Sequence, residues 1–164
     1  MINKDKARNF AIKAHGGQKY GEFPYSVHLD DVAKIASEYG ETAQVVAYLH
    51  DVVEDTEVTP KEIEHAFGEL VSRCVCILSD EPGESRKIRK AATYQKMARI
   101  SGPEEIALLV KAADRLANMR ACVRSENEGF LDMYRAEHKV FRDSAYRPNL
   151  CENIWIEIEK IQNA

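Results

Sequence analysis

A chain of 164 residues, 45% apolar and 30% charged, is long enough for one domain with a proper core and too apolar to be a disordered segment. Its formal net charge of −4 gives no bulk attraction to nucleic acid, so an anionic substrate would need a local basic patch. The opening residues Met1–Lys6 are polar, and no apolar run is long enough to span a bilayer, so the expectation is a cytoplasmic protein with no signal peptide and no membrane contact.

Apolar residues recur at spacings of three and four throughout, which predicts an all-α domain occupying 1–164 as a single unit. A first helix is predicted from about Lys4 to His15, closed by Gly16-Gly17. A loop from Gln18 to Tyr25 carries Gly21 and Pro24. A second helix is predicted from near Val27 to Gly40, and a third from about Glu41 to Val53. Thr59-Pro60-Lys61-Glu62 is a helix start with a threonine cap, a proline in the first turn and an acid behind it. Gly68 separates that helix from the next, about Glu69 to Leu78, and Asp80 to Glu84 form a turn. A basic helix follows, about Ser85 to Ile100. Ser101-Gly102-Pro103-Glu104 then opens a helix reaching about Val123. Two more fit Gly129 to Tyr146 and Asn149 to Gln162.

The cysteines Cys74, Cys76, Cys122 and Cys151 lack the C-x-x-C spacing of a zinc site and are expected to be buried, reduced thiols.

The chemistry concentrates in Leu49-His50-Asp51-Val52-Val53-Glu54-Asp55-Thr56. Leu49, Val52 and Val53 pull this backbone inward, so His50 and Asp51 lie close to buried surface, where an unpaired charge is costly. A divalent transition ion would satisfy both groups. Further ligands must come from elsewhere in the chain. His28 opens the second helix. Asp114 interrupts Ile106–Leu116, which is apolar almost all round and so belongs to a central helix. Two histidines and two aspartates suit manganese, iron or zinc. Taken singly, each has a plainer reading: an incidental His-Asp pair, a surface histidine, and an aspartate paired with Arg115 or Lys111.

The order H…HD…D, together with His50-Asp51-Val52-Val53-Glu54-Asp55-Thr56 and Asp114-Arg115-Leu116-Ala117-Asn118-Met119-Arg120, resembles the HD-domain hydrolases. Among them it is similar to the (p)ppGpp hydrolase domain of the RelA/SpoT family and to the stand-alone small alarmone hydrolases. The resemblance runs from about Ala7 to Met119 and includes Ala14-His15-Gly16-Gly17-Gln18 and Phe67-Gly68. At 164 residues the chain is expected to lack the synthetase half of the long members. The resemblance implies an HD-domain helical bundle of about eight to nine helices. It also implies a manganese-dependent removal of the 3′-pyrophosphate from (p)ppGpp, with another divalent transition metal as the alternative. His28, His50, Asp51 and Asp114 match the metal ligands, Glu54 and Asp55 the acidic pair, and Asn118 a substrate contact. If the helix continues past His50, Glu54 lies four residues on along the same face.

The substrate side is less regular. At the base-binding loop this chain reads Lys19-Tyr20-Gly21, where Tyr20 could stack on a base. Ala117 and Ala121 stand where the family pattern carries histidine and threonine. Lys87, Lys90 and Tyr94 fall on one helical stripe that could bind phosphates, and Tyr134 is placed as a further substrate contact. Three readings follow: a (p)ppGpp hydrolase, a phosphatase for another nucleotide or dinucleotide such as NADPH, or a metal-bearing nucleotide sensor without catalysis. Retention of both Glu54 and Asp55 speaks against the last. Helical domains of this size often self-associate, so a homo-oligomer is a candidate state.

Overall fold

The computed structural model describes residues 2–164. Among the described residues the chain folds as α-helices around one central helix, with a single short hairpin. In order, the helices are α1 (Lys4–His15), α2 (Tyr25–Ala36), α3 (Glu41–Leu49), α4 (Val52–Asp55), α5 (Pro60–Phe67), α6 (Glu69–Leu78), α7 (Arg86–Ala98), α8 (Ile106–Arg124), α9 (Glu128–Ala145) and α10 (Glu152–Gln162). Among the described residues no helix is long and apolar enough to cross a membrane.

Helix starts follow local chemistry. Asn3 caps α1 by accepting from Lys6 N at 2.9 Å. Thr59 caps α5 in the reciprocal box its sequence predicts: Thr59 Oγ1 accepts from Glu62 N, and Glu62 Oε2 accepts from Thr59 N at 2.8 Å. Ser85 caps α7 in the simpler one-way form, its Oγ accepting from Ile88 N at 3.2 Å.

The centre is α8. Leu108, Val110, Leu116 and Met119 are buried there, and Ala107, Ala112, Ala113 and Ala117 let neighbouring backbones come close. Helices α2, α3, α6, α9 and α10 all pack on it. Phe141 of α9 and Trp155 of α10 close the far side, ring centroids 5.3 Å apart.

The structure corrects three boundaries. The Gln18–Tyr25 stretch is not simply a loop: β1 (Lys19–Tyr20) and β2 (Phe23–Pro24) pair antiparallel, with Gly21 at φ +60° in the turn. Strands of two residues are too short to leave a period in the sequence. The third helix does not reach Val53 unbroken. It ends at Leu49, and Asp51 sits at φ −106°, ψ −2° before the single turn α4 begins. The apolar spacing of Leu49, Val52 and Val53 reads the same on either side of that break. The last helix starts at Glu152, because Asn149 takes φ +65° and folds the approach into a turn.

Candidate metal centre

Three elements aim their polar side chains at one point. His28 lies on the first turn of α2, His50 and Asp51 lie in the break between α3 and α4, and Asp114 lies midway along α8. His28 and His50 are 2% and 1% exposed and Asp114 is 8%, so their polar atoms have little water to turn to. One ligand atom from each of His28, His50 and Asp51 lies within 4.8 Å of the others. Asp114 Oδ1 is 3.1 Å from His28 Nε2 and 3.5 Å from His50 Nε2, which brings the fourth predicted group to both imidazoles.

The histidines are prepared for the role. His50 Nδ1 lies 2.6 Å from the Ala47 carbonyl, a contact that keeps a proton on Nδ1 and turns Nε2 into the site. That Nε2 is buried and has no hydrogen-bond partner, although Asp51 Oδ2 is 3.0 Å away. A buried ring nitrogen left without a partner beside two carboxylates is what a cation ligand looks like, and the two-nitrogen, two-oxygen donor set suits a divalent transition metal.

The charges point the same way. Burial alone would lower the His50 pKa, yet Asp51 and then Asp114 outweigh it and raise it well above the ordinary imidazole range. Burial would likewise raise Asp51 and Asp114. His50 and the Tyr25 hydrogen bond hold Asp51 low, and Lys111, followed by the two histidines, holds Asp114 low. The carboxylates are therefore ionised and draw positive charge. A divalent cation competes with the His50 proton for the same nitrogen.

The predicted acidic pair sits just outside. Glu54 is on α4 and its Oε1 accepts from Asp80 N at 2.5 Å, so it faces the turn between α6 and α7. Because the helix breaks at Asp51, the four-residue face argument linking Glu54 to His50 does not hold. What brings Glu54 near is the new helical turn and its tie to Asp80. Desolvation, and to a smaller degree Asp51, raises its pKa. Asp55 Oδ2 accepts from Gln18 Nε2 at 3.0 Å.

Of the predicted substrate contacts, Asn118 and Tyr20 join the site. Asn118 Nδ2 donates to Asp114 Oδ1 at 2.9 Å, and Tyr20 donates to Asn118 Oδ1 at 2.5 Å. The Tyr20 ring stacks on His28, centroids 4.6 Å apart and 11° from parallel, so it lines the metal pocket instead of standing free. Lys19 is exposed on the hairpin. The basic helix does not present one stripe. Lys90 Nζ turns inward to Asp80 at 2.8 Å and Tyr94 is buried, while Lys87 faces solvent. Tyr134 packs under the Arg115 guanidinium, 4.7 Å from ring centroid to carbon, and burial pushes its pKa up to about 12. Sequence reasoning missed Tyr25, whose hydroxyl donates to Asp51 Oδ2, and Lys111, whose Nζ lies 3.3 Å from Asp114 Oδ2. Both stand three residues before a predicted ligand, His28 and Asp114, one helical turn away.

Comparison with known proteins places these residues in context. The HD domain family matches residues 7–148. The chain is 36% identical over 129 residues to the guanosine-3′,5′-bis(diphosphate) 3′-pyrophosphohydrolase MESH1 of Danio rerio, covering 74% of this chain and 70% of that one. It is 35% identical to the protein of the same name from Xenopus tropicalis, covering 81% and 76%. The guanosine-3′,5′-bis(diphosphate) 3′-pyrophosphohydrolase of Aquifex aeolicus is 34% identical over 119 residues, but the match spans only 17% of its length. Among solved structures, one described as a metazoan ortholog of SpoT that hydrolyzes ppGpp superposes with a TM-score of 0.82 at 26% identity, over 98% of this chain and 93% of that one. A protein from Listeria monocytogenes, at 24% identity and TM-score 0.67, shares the fold.

Proposed function

This chain belongs to the HD domain family, and from that premise we propose that it is a metal-dependent hydrolase that removes the 3′-pyrophosphate from guanosine 3′,5′-bis(diphosphate). The observation that carries the reading is the convergence of His28, His50, Asp51 and Asp114 from three separate elements, in a chain related to pyrophosphohydrolases over most of its length. These four residues would hold a divalent cation; the donor set suits manganese, iron or zinc, and manganese is the choice that the resemblance to the (p)ppGpp hydrolases implies. Once bound, the metal would acidify a water and polarise the phosphate under attack.

The remaining steps fall to the chain itself. Glu54, with its pKa raised, is suited to take a proton from the attacking water at its free carboxylate oxygen, while Asp80 N holds the other. Asp55 stands next to it as a second acceptor. Asn118 is held by both ends of its amide, by Tyr20 and by Asp114, and presents a fixed polar edge to the substrate. Lys111, buried against Asp114, offsets negative charge as the phosphate enters. Lys90 lies beside Asp80 at the mouth, within the same group of residues as Glu54. The four cysteines are free thiols, which fits a reducing compartment, and cytoplasmic residence is part of this proposal.

One observation favours a second substrate. Tyr20 is spent on His28 and Asn118, so the hairpin has no free aromatic or cationic plane at that position to grip a guanine. A different phosphorylated nucleotide, such as NADPH with its 2′-phosphate, is then the alternative substrate. The test offers purified, manganese-loaded protein ppGpp, pppGpp, NADPH and common nucleotides, and follows released phosphate and pyrophosphate. Pyrophosphate and GDP from ppGpp is the expected result. Turnover of NADPH alone would replace the alarmone reading, and no turnover of any would overturn the hydrolase reading.

A further inference from the structure

Gln18 is a half-buried residue just past the end of α1, where a glutamine would ordinarily be left to water. Here every polar group it owns is used. Its backbone N–H donates to the His15 carbonyl at 3.0 Å, and its carbonyl accepts from Tyr25 N at 3.1 Å. Its side-chain Oε1 lies 2.8 Å from His15 Nδ1, and its Nε2 donates to Asp55 Oδ2 at 3.0 Å. Gly16, at φ +54°, allows the tight reversal that brings Gln18 back over His15.

The hydrogen-bond directions are fixed by chemistry. An ionised carboxylate only accepts, so the amide nitrogen must face Asp55. The amide oxygen then faces His15, which must carry its proton on Nδ1. His15 is 7% exposed, its ring packs 4.6 Å from Tyr25, and its Nε2 is buried without a partner, so Gln18 is the side chain that sets its Nδ1 contact. Ordering a long polar side chain costs rotamer entropy, and the core needs nothing from this one. What it reaches is the carboxylate beside Glu54, 37 residues away in sequence.

We propose that Gln18 is a positioning residue that holds the Asp55 carboxylate in one orientation at the mouth of the site, with His15 fixing which way the Gln18 amide points. Asp55 Oδ2 is occupied by the amide, which leaves the other carboxylate oxygen free to accept. The same segment fixes a second acid, because Tyr25, pinned through its N–H to Gln18, donates to Asp51. Residues 15–25 thus brace from outside two carboxylates four residues apart in the chain.

The inference rests on the hydrolase reading for its activity readout, so its test has a second arm that does not. Gln18→Met keeps the shape and removes both side-chain hydrogen bonds. In manganese-loaded protein with ppGpp it should lower kcat by roughly tenfold, the smaller end of what outer partners of a site are worth, with KM and manganese affinity unchanged. In an Asp55→Asn background the same change should add nothing further, because the path runs through Asp55. A Gln18→Met variant at wild-type kcat, or losses that multiply in the double variant, would overturn the inference. In the metal-free protein, 15N NMR should show His15 protonated on Nδ1, with the signature altered in Gln18→Met. An Nε2–H tautomer overturns the inference whatever the activity. The expected tautomer without any ppGpp turnover supports the contact and refutes the alarmone reading alone.

Discussion

The inner and outer halves of the site are built differently. The inner half, His28, His50, Asp51 and Asp114, is carried by the ends and middle of packed helices, and its geometry is set by the core around α8. The outer half, Glu54, Asp55, Asn118 and Tyr20, is held by side-chain hydrogen bonds: Glu54 to Asp80, Asp55 to Gln18, and Tyr20 to Asn118. The first is positioned by burial and the second by polar contacts near solvent. The inner half should therefore fail all at once when one ligand is removed, and the outer half by degrees.

The largest expected effect is on the inner half. Asp51→Ala removes a donor and leaves His50 Nε2 beside one carboxylate fewer. Metal content should be lost, and the rate should fall by at least about three orders of magnitude, since a bound ion is worth several kcal/mol and each decade is about 1.4 kcal/mol. Metal analysis alongside turnover checks it, and a variant that binds manganese and turns over normally would refute the assignment.

Glu54→Gln should separate the halves. Metal content should be unchanged and kcat should drop by about 10²- to 10⁴-fold, the range of general-base catalysis. The raised pKa of Glu54 gives this a pH signature. A base works deprotonated, so the acidic limb of kcat/KM should lie above the ordinary glutamate value of 4.5 and vanish with Glu54→Gln. The sign for stability is opposite. A carboxyl whose folded pKa is raised favours the protonated form, and that contribution is lost as pH rises through the folded value. Melting of Glu54→Gln should therefore gain on wild type as pH climbs from 4 to 7, on the order of the carboxylate titration range. An unchanged acidic limb would remove Glu54 from the proton path.

Tyr25→Phe is predicted to be milder. It deletes the hydroxyl that donates to Asp51 while leaving the ring against His15. Outer hydrogen bonds of this kind are worth roughly 10- to 100-fold in metal affinity or activity, and titration with manganese should show a loss in that range.

That His50, Asp51 and Asp114 lie together at or close to buried surface is legible in the sequence, while His28 enters only through the order H…HD…D and the outer half only in part. His50-Asp51 and Asp114 stand out because charged groups interrupt apolar helical periods, and burial follows from the period. Nothing local shows that α3 stops at Leu49, because an apolar spacing of three continues through Val52 whether or not the helix does. Glu54 was therefore attached to His50 by a helix that is broken there. Gln18 and Tyr25 are polar residues in a short hairpin region, and their partners lie 37 and 26 positions away, beyond any periodic signal. The basic helix differs in the opposite sense: its spacing gives a stripe of Lys87, Lys90 and Tyr94, but Asp80 claims Lys90 as an internal partner, Tyr94 is buried, and Lys87 stays outside.

The smallest effect tests the comparison from a third place. Thr59 was read from sequence alone as the cap of α5, and its box with Glu62 forms on the surface, in a helix that packs on α6 and supplies no group to the metal centre. Thr59→Ala removes the acceptor for Glu62 N and should cost about 1 kcal/mol. For a domain of this size that is roughly 2–4 °C in Tm. Neither manganese affinity nor kcat at a temperature well below the transition should move, because both depend on contacts that α5 does not make. A thermal melt paired with turnover at that lower temperature decides it. A fall in kcat with the melt unchanged would mean that α5 is coupled to the site, and that burial around α8 alone does not set the inner geometry.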